Sequence, residues 1–194
     1  MSSRLLVLFM VVIWGCSTAK AENPQRSCGR WISWIVALDK EAPEPVSSEA
    51  KENLKLLSNV KADPWGIATL SFSEKMEAIE CLLGEENDLR LAAFGGSVRL
   101  DVSQTFAVPT ANLAALYAIS YIYSGHYDHA AAVALRGDDA SYTDTNGNYV
   151  TKVSAVHKAY VAYRAWFVKV RQMGLVSAQK SGLQPLEGTG LRWY

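Results

Sequence analysis

The chain is poor in the groups that most often carry chemistry. It holds three histidines and three cysteines among 194 residues. No G-x-S-x-G segment occurs, so the sharp glycine-flanked turn that presents a hydrolase serine is missing. A Walker loop and a G-x-G-x-x-G run are missing as well, and with them the usual glycine-built phosphate cradles. Charge of one sign is lacking too, since 19 basic and 19 acidic residues cancel at neutral pH. A balanced chain without a basic block carries no electrostatic footprint for nucleic acid or for an anionic membrane surface. Long apolar runs are also absent. The longest, Leu5–Trp14, has ten residues, against the roughly 20 that a helix needs to cross a bilayer. The expectation is therefore a chain with no cofactor, no transmembrane segment, no nucleic-acid partner and no catalytic residues.

What is present begins with export. Met1–Arg4 is a short positive start, Leu5–Trp14 is apolar, and small residues follow, which is the layout of a secretory signal. Ala19-Lys20-Ala21 before Glu22 fits the small-x-small rule of an ordinary signal peptidase. That cut makes residues 1–21 a signal peptide and 22–194 a single helical domain, with the periplasm as the expected destination. Ile13-Trp14-Gly15-Cys16 resembles a bacterial lipobox, and gives the alternative: a lipoprotein signal over 1–15 with Cys16 lipidated at the outer membrane. Trp14 fits that box poorly, so the first cut is preferred. Either cut exports the chain and removes Cys16 from the thiol pool. Cys28 and Cys81 remain, an even pair in an oxidising compartment, and a disulfide between them is expected. Closing a loop of about 54 residues in the unfolded chain is worth about 4 kcal/mol.

Helical spacing dominates the rest. Cys28, Trp31, Ile35 and Leu38 share one helical face, and Pro43 and Pro45 stop that pattern. Ser47 or Ser48 is expected to cap a short helix ending near Leu57. Ser71-Phe72-Ser73-Glu74 is a capping box, with Met76, Ile79 and Leu83 turned inward behind it. A short helix is expected over Glu86–Phe94. Ala111–Ser124 is apolar around its whole circumference, which marks a buried central helix, and Asp128–Leu135 is expected to be the next one. Over Lys152–Met173, the residues Val153, Val156, Tyr160, Tyr163, Phe167 and Val170 repeat at steps of three and four. Ser97–Val108 reads as strand or loop, and Asn146-Gly147 is a strong hairpin signal. The expected fold is all-α: one compact domain of about six or seven helices, bundle-like or short-repeat-like, with a small β-hairpin near 142–151.

Within this pattern, Ala114–Ala134 resembles one helical hairpin of the tetratricopeptide family. Ala118, Tyr121, Gly125, Tyr127 and Ala130 fall at that family's preferred spacing, while Ala134 and Gly137 depart from it. The resemblance covers 21 residues and has no second copy, whereas solenoids need several stacked repeats. It implies a helix-turn-helix pair here and hints at protein binding.

The candidate sites are few. His126 and His129 flank a turn and could supply two metal ligands, with His157 a distant third, yet a metal site needs three or four converging groups. Asp128 between them reads as a helix cap. Asp138, Asp139, Asp144, Asn146 and Asn148 are oxygen-rich, but a calcium loop would want glycine at its sixth position and glutamate at its twelfth. A turn rich in Asp and Asn needs no ion. The acids Glu77, Glu80, Glu85, Glu86 and Asp88 read as solvated helix edges. His157, Arg164 and Arg171 form a basic edge on the last long helix that could meet an acidic partner. Arg192-Trp193-Tyr194 contains residue types enriched at interface hot spots, although tail aromatics also tuck into cores. The preferred expectation is an exported, non-catalytic protein-binding module of the bacterial envelope. An inhibitor or immunity protein that neutralises a toxic or lytic enzyme is its suggested form. Two alternatives stand beside it: an envelope enzyme or metal-binding protein using the His126–His129 turn, and a lipid-anchored structural protein.

Overall fold

A computed structural model describes residues 24–36, 67–92, 105–125 and 133–194. Five α-helices lie among them: α1 (Pro24–Ile32), α2 (Phe72–Leu82), α3 (Ala111–Ser124), α4 (Val153–Met173) and α5 (Leu175–Lys180). Five short strands accompany the helices: β1 (Thr105–Phe106), β2 (Leu135–Arg136), β3 (Ser141–Thr143), β4 (Asn148–Thr151) and β5 (Arg192–Trp193). The expected signal peptide, Cys16 and the short helix after Ser47 lie outside the described residues, as do His126 and His129.

Helix α3 is the centre, because it has no charged side chain and almost every position is buried. Helices α2, α4 and α5 pack around it. Leu116 and Ile119 of α3 are buried with Ile79 and Leu82 of α2 and Tyr160, Tyr163 and Val170 of α4 in one continuous core. Each fully buried aliphatic side chain of this kind stabilises the fold by about 1.5–3 kcal/mol. Gly125 ends α3 in the left-handed conformation at φ 68°, where a Cβ would be strained. Helix α2 begins on its capping box. Ser71 Oγ accepts the Glu74 amide at 3.3 Å, and the Glu74 carboxylate accepts the Ser71 amide at 2.9 Å. The Ser71 hydroxyl, which donates to the Glu74 carboxylate at 2.7 Å, and the Ser71 amide hold that carboxyl below its ordinary pKa. A disulfide joins Cys28 of α1 to Cys81 of α2, with Cα atoms 5.3 Å apart. It presses Trp31, 1% exposed, into the core beside α2.

The all-α expectation of six or seven helices is overturned. The described residues hold five α-helices plus two small sheets. In the first sheet β4 is central, parallel to β1 and antiparallel to β3, with Phe106 opposite Tyr149 and Tyr142 opposite Val150. In the second, β2 and β5 run antiparallel, with Leu135 opposite Trp193 and Arg136 opposite Arg192. Among the described residues, two stretches expected to be helical are not. Of the Glu86–Phe94 segment, the described residues to 92 form only a single 3-10 turn at Glu85–Asn87 and then leave the helix, with Leu91 and Ala92 in isolated bridges. Asp88 draws the Arg90 amide onto its own side chain at 3.0 Å, a local bond that competes with helix. The freed carbonyls of Asp88 and Arg90 then accept the first amides of α3, from Asn112 at 3.0 Å and Ala111 at 2.7 Å. Those α3 amides have no partner within their own helix, so the broken segment serves as its cap. Most of the expected Asp128–Leu135 helix lies outside the described residues; its described end, 133–135, is not helical, and Leu135 is strand because Trp193 pairs with it.

The hairpin β3–β4 turns at Asn146-Gly147, with Gly147 at φ 82°. Asp144 closes it by accepting the amides of Asn146 and Asn148 at 2.8 and 2.7 Å and the Asn148 side chain at 3.0 Å. The Asn148 bonds hold the Asp144 carboxyl below its ordinary pKa. The carboxylate that a calcium loop would have used is thereby saturated by its own turn. No helix among the described residues is long and apolar enough to cross a membrane.

Candidate functional site

The sequence flagged two surface features that the fold treats differently. The basic edge of α4 is engaged by acids of the same chain. Glu86 places one oxygen 2.5 Å from His157 Nδ1 and the other 2.5 Å from Arg164 Nη1. Arg164 also donates to the Leu83 carbonyl at 3.2 Å and lies over the Tyr160 ring at 5.5 Å. Arg171 meets Glu80 at 3.1 Å and covers Phe167. Burial tends to raise the Glu86 pKa, but the bonds from Arg164 and His157 outweigh it and hold the carboxyl below its ordinary value. The edge therefore fastens α4 to α2 and to the turn behind it.

The neighbouring acids divide in character. Burial and the Asp88 charge push Glu85 up, while Arg90, bound side chain to side chain, holds Asp88 down. Behind them Asn112, 3% exposed, uses its amide group on the Glu86 carbonyl at 2.9 Å and its oxygen on the Leu113 amide at 2.7 Å. Tyr160 donates to the Asn112 carbonyl at 2.9 Å, and burial pushes its phenol far above the ordinary range. Among the described residues, no group of three or more His, Cys, Asp or Glu is arranged to hold a metal ion.

The second feature, Arg192-Trp193-Tyr194, builds one wall of a cleft of about 800 Å³. Tyr117, Ser120, Tyr121 and Tyr123 of α3 and Tyr163 of α4 form its base, and the turns around Pro185 and Leu191 form its other wall. Strand β5 is positioned by pairing with β2 and by the Tyr194 amide, which donates to the Ala134 carbonyl at 3.0 Å. The turn before it is tied to α3. Tyr123 donates its hydroxyl to the Leu183 carbonyl at 2.7 Å, and its own carbonyl accepts the Gln179 side chain.

At the base, Trp193 Nε1 reaches Ser120 Oγ and the Tyr163 hydroxyl, each at 3.0 Å. Ser120 and Tyr163 are hydrogen-bonded to each other, and Ser120 also donates to the Leu116 carbonyl at 3.2 Å. Either hydroxyl of that pair can donate; with Ser120 giving its proton to the helix, its oxygen accepts from both Tyr163 and Trp193. Burial pushes the Tyr163 phenol up to about 12, against the smaller pull of Ser120 and Trp193. A phenol that holds its proton so firmly cannot activate the serine as a base at neutral pH. The group works as a latch that orients Trp193, whose ring meets Tyr117 edge-on at 5.3 Å. Tyr194 in turn packs against Phe106 at 4.7 Å and Tyr149 at 5.4 Å.

Sequence reading placed Tyr163 in a core stripe and passed over Ser120 and Arg136. Ser120 did leave a signal, as a lone polar residue midway along an apolar helix. Arg136 left none. No protein-family model, curated protein or solved structure matches the chain.

Proposed function

We propose that the chain is an exported, non-catalytic protein-binding module and that the cleft is where it meets its partner. The carrying observation is the lining of the cleft: Tyr117, Tyr121, Trp193, Tyr194, Arg136 and Arg192 around one concavity. Trp, Tyr and Arg dominate the energetics of protein interfaces, because they bury much area at low entropic cost and still offer donors. The Ser120–Tyr163–Trp193 latch supports the reading by holding one of those aromatics in place before any partner arrives, which lowers the ordering cost of binding. The Cys28–Cys81 bridge is compatible with an oxidising compartment. In its finer form the proposal makes the partner a toxic or lytic enzyme of the bacterial envelope, and this chain its inhibitor or immunity protein.

The test is photo-crosslinking in the native host. A photoreactive residue replaces Leu186 in the cleft, and in a control it replaces the exposed Val161 on α4. The expected result is one stoichiometric protein adduct from the cleft position, whose enzymatic activity falls when the purified module is added back. An adduct-free cleft across growth conditions overturns the binding role. A partner whose activity is unchanged overturns the inhibitor form alone.

A further inference from the structure

We infer that the cross-strand pair Arg136–Arg192 is an acid-reading element, and that the partner presents to it a single carboxylate side chain flanked by an apolar or aromatic one. The inference rests on the binding role proposed above and names the chemistry that role requires.

Three observations carry it. First, the β2–β5 register sets Arg136 directly opposite Arg192. Residues facing each other across an antiparallel pair lie on the same face of the ribbon, and like charges there repel. Second, no ion pair among the described residues relieves that repulsion. Among the described residues the ion pairs join Arg30, Arg90, Lys152, His157, Arg164 and Arg171 to acids, and neither cleft arginine is among them. Third, Arg136 Nε, like Trp31 and Trp166 Nε1, is buried without a hydrogen-bond partner among the described residues, so no side-chain bond to that nitrogen draws the guanidinium away from the cleft. Its guanidinium lies over the Tyr194 ring at 5.3 Å, which leaves the planar fork oriented instead of waving in solvent.

A carboxylate placed between the two arginines accepts from both and cancels the repulsion. Arginine suits this role because its rigid fork matches a carboxylate in two-point geometry. The surrounding Tyr117, Tyr121, Trp193 and Leu186 offer apolar walls to the neighbouring side chain. Glu187 on the same lining repels a second anion, so a run of acids fits less well than one acid beside an apolar residue. The cleft, at about 800 Å³, is far larger than an inorganic anion and accommodates a peptide segment with several side chains.

The experiment selects short random peptides, displayed with blocked ends, on the oxidised wild-type protein. Binding of the winners is then measured by calorimetry to wild type and to the double variant Arg136→Gln/Arg192→Gln. Removing two like charges relieves repulsion, so the variant is expected to fold, and its near-ultraviolet dichroism checks that the aromatic cleft is intact. The expected winners carry one Asp or Glu beside an apolar or aromatic residue. Their binding weakens about tenfold or more in the double variant, as for losing charge-assisted bonds. Replacing the peptide's acid by its amide is expected to have the same effect. Winners without an acid, equal binding to the double variant, or displacement by inorganic phosphate alone would each overturn the inference. So would a crosslinked partner that meets the cleft with uncharged residues, and in that case the binding role itself survives.

Discussion

Replacing Glu86 by Gln tests whether α4 is fastened to the rest of the core electrostatically. The carboxylate serves His157 and Arg164 at once, 2.5 Å from each, and is itself largely shielded with 15% of its side chain exposed. Hydrogen bonds to charged groups contribute about 1.5–3 kcal/mol when both partners are sheltered. Here His157 and Arg164 remain 67% and 46% exposed, so screening places the pair at the low end. The expected loss is about 1–2 kcal/mol at neutral pH. For a chain of this size that lowers the melting temperature by about 2–4 °C per kcal/mol. The pH dependence sharpens the test. A carboxyl whose folded pKa lies below its unfolded one stabilises the fold above the unfolded value, 4.5 for an ordinary glutamate. That contribution disappears as pH falls through the lower folded value. Urea unfolding of wild type and Glu86→Gln should therefore show a gap at neutral pH that closes at acid pH, once the folded carboxyl is protonated. A gap of equal size at both pH values would mean that amide geometry, and not charge, is what the substitution changed. A gap near zero at neutral pH would show that solvent already screens the pair completely.

Three further outcomes follow from the same structure. Cys28→Ser with Cys81→Ser should cost about 4 kcal/mol, read as a lower urea midpoint that reduction of wild type reproduces and reduction of the variant does not extend. Gly137→Ala should cost about 1–3 kcal/mol through overpacking, since a Cβ there would sit 2.5 Å from the Gly190 carbonyl oxygen; proteolysis should then cut the tail before the helices. In an alkaline titration followed by phenolate absorbance, Tyr160 and Tyr163 should ionise last, because burial raises both and puts Tyr163 at about 12. The unfolded chain releases those protons near pH 10, so stability should fall as pH rises above about 10, and titration of all tyrosines together well below unfolding would contradict their burial.

Helices α3 and α4 were legible because their signals are local and long. An unbroken apolar circumference and a stripe repeating at steps of three and four leave little else for Ala111–Ser124 and Val153–Met173 to be. The Ser71–Glu74 capping box was legible for the same reason. Of the sheets only the β3–β4 hairpin was, from its Asn146-Gly147 turn. Strands of two residues, such as Thr105–Phe106 or Leu135–Arg136, carry no period, and they exist only because distant partners meet them. The turn at Glu85–Asn87 illustrates a conflict between levels. Its sequence permits a helix, but the unmet amides at the start of α3 draw its carbonyls away. The basic edge of α4 could be read as a row of residues from sequence. That Glu80 and Glu86 would face it could not, since those contacts depend on how two helices pack. Half of the cleft was legible too. Arg192, Trp193 and Tyr194 stood out by type at the terminus, while Arg136 acquires its meaning only from the register that sets it against Arg192.

The latch at the base of the cleft decides whether that terminal strand is a wall or a loose end. If Tyr163 donates to Ser120 and Ser120 accepts from Trp193 as well, the three groups act as one unit. Ser120→Ala then removes the acceptor and strands the Tyr163 hydroxyl, which is fully buried; an orphaned donor of this kind costs about 1–3 kcal/mol. Adding Tyr163→Phe removes that orphan but takes the last acceptor from Trp193 Nε1, so the double variant should depart from the sum of the single ones. Independent groups would give simple additivity, and additivity within about 0.5 kcal/mol would refute the shared proton network. The same variants separate the latch from the rest of the fold. Loosening β5 should quench the near-ultraviolet dichroism of the Trp193–Tyr117 pair while leaving resistance to disulfide reduction unchanged, because Cys28 and Cys81 join α1 to α2, elements that the latch does not touch.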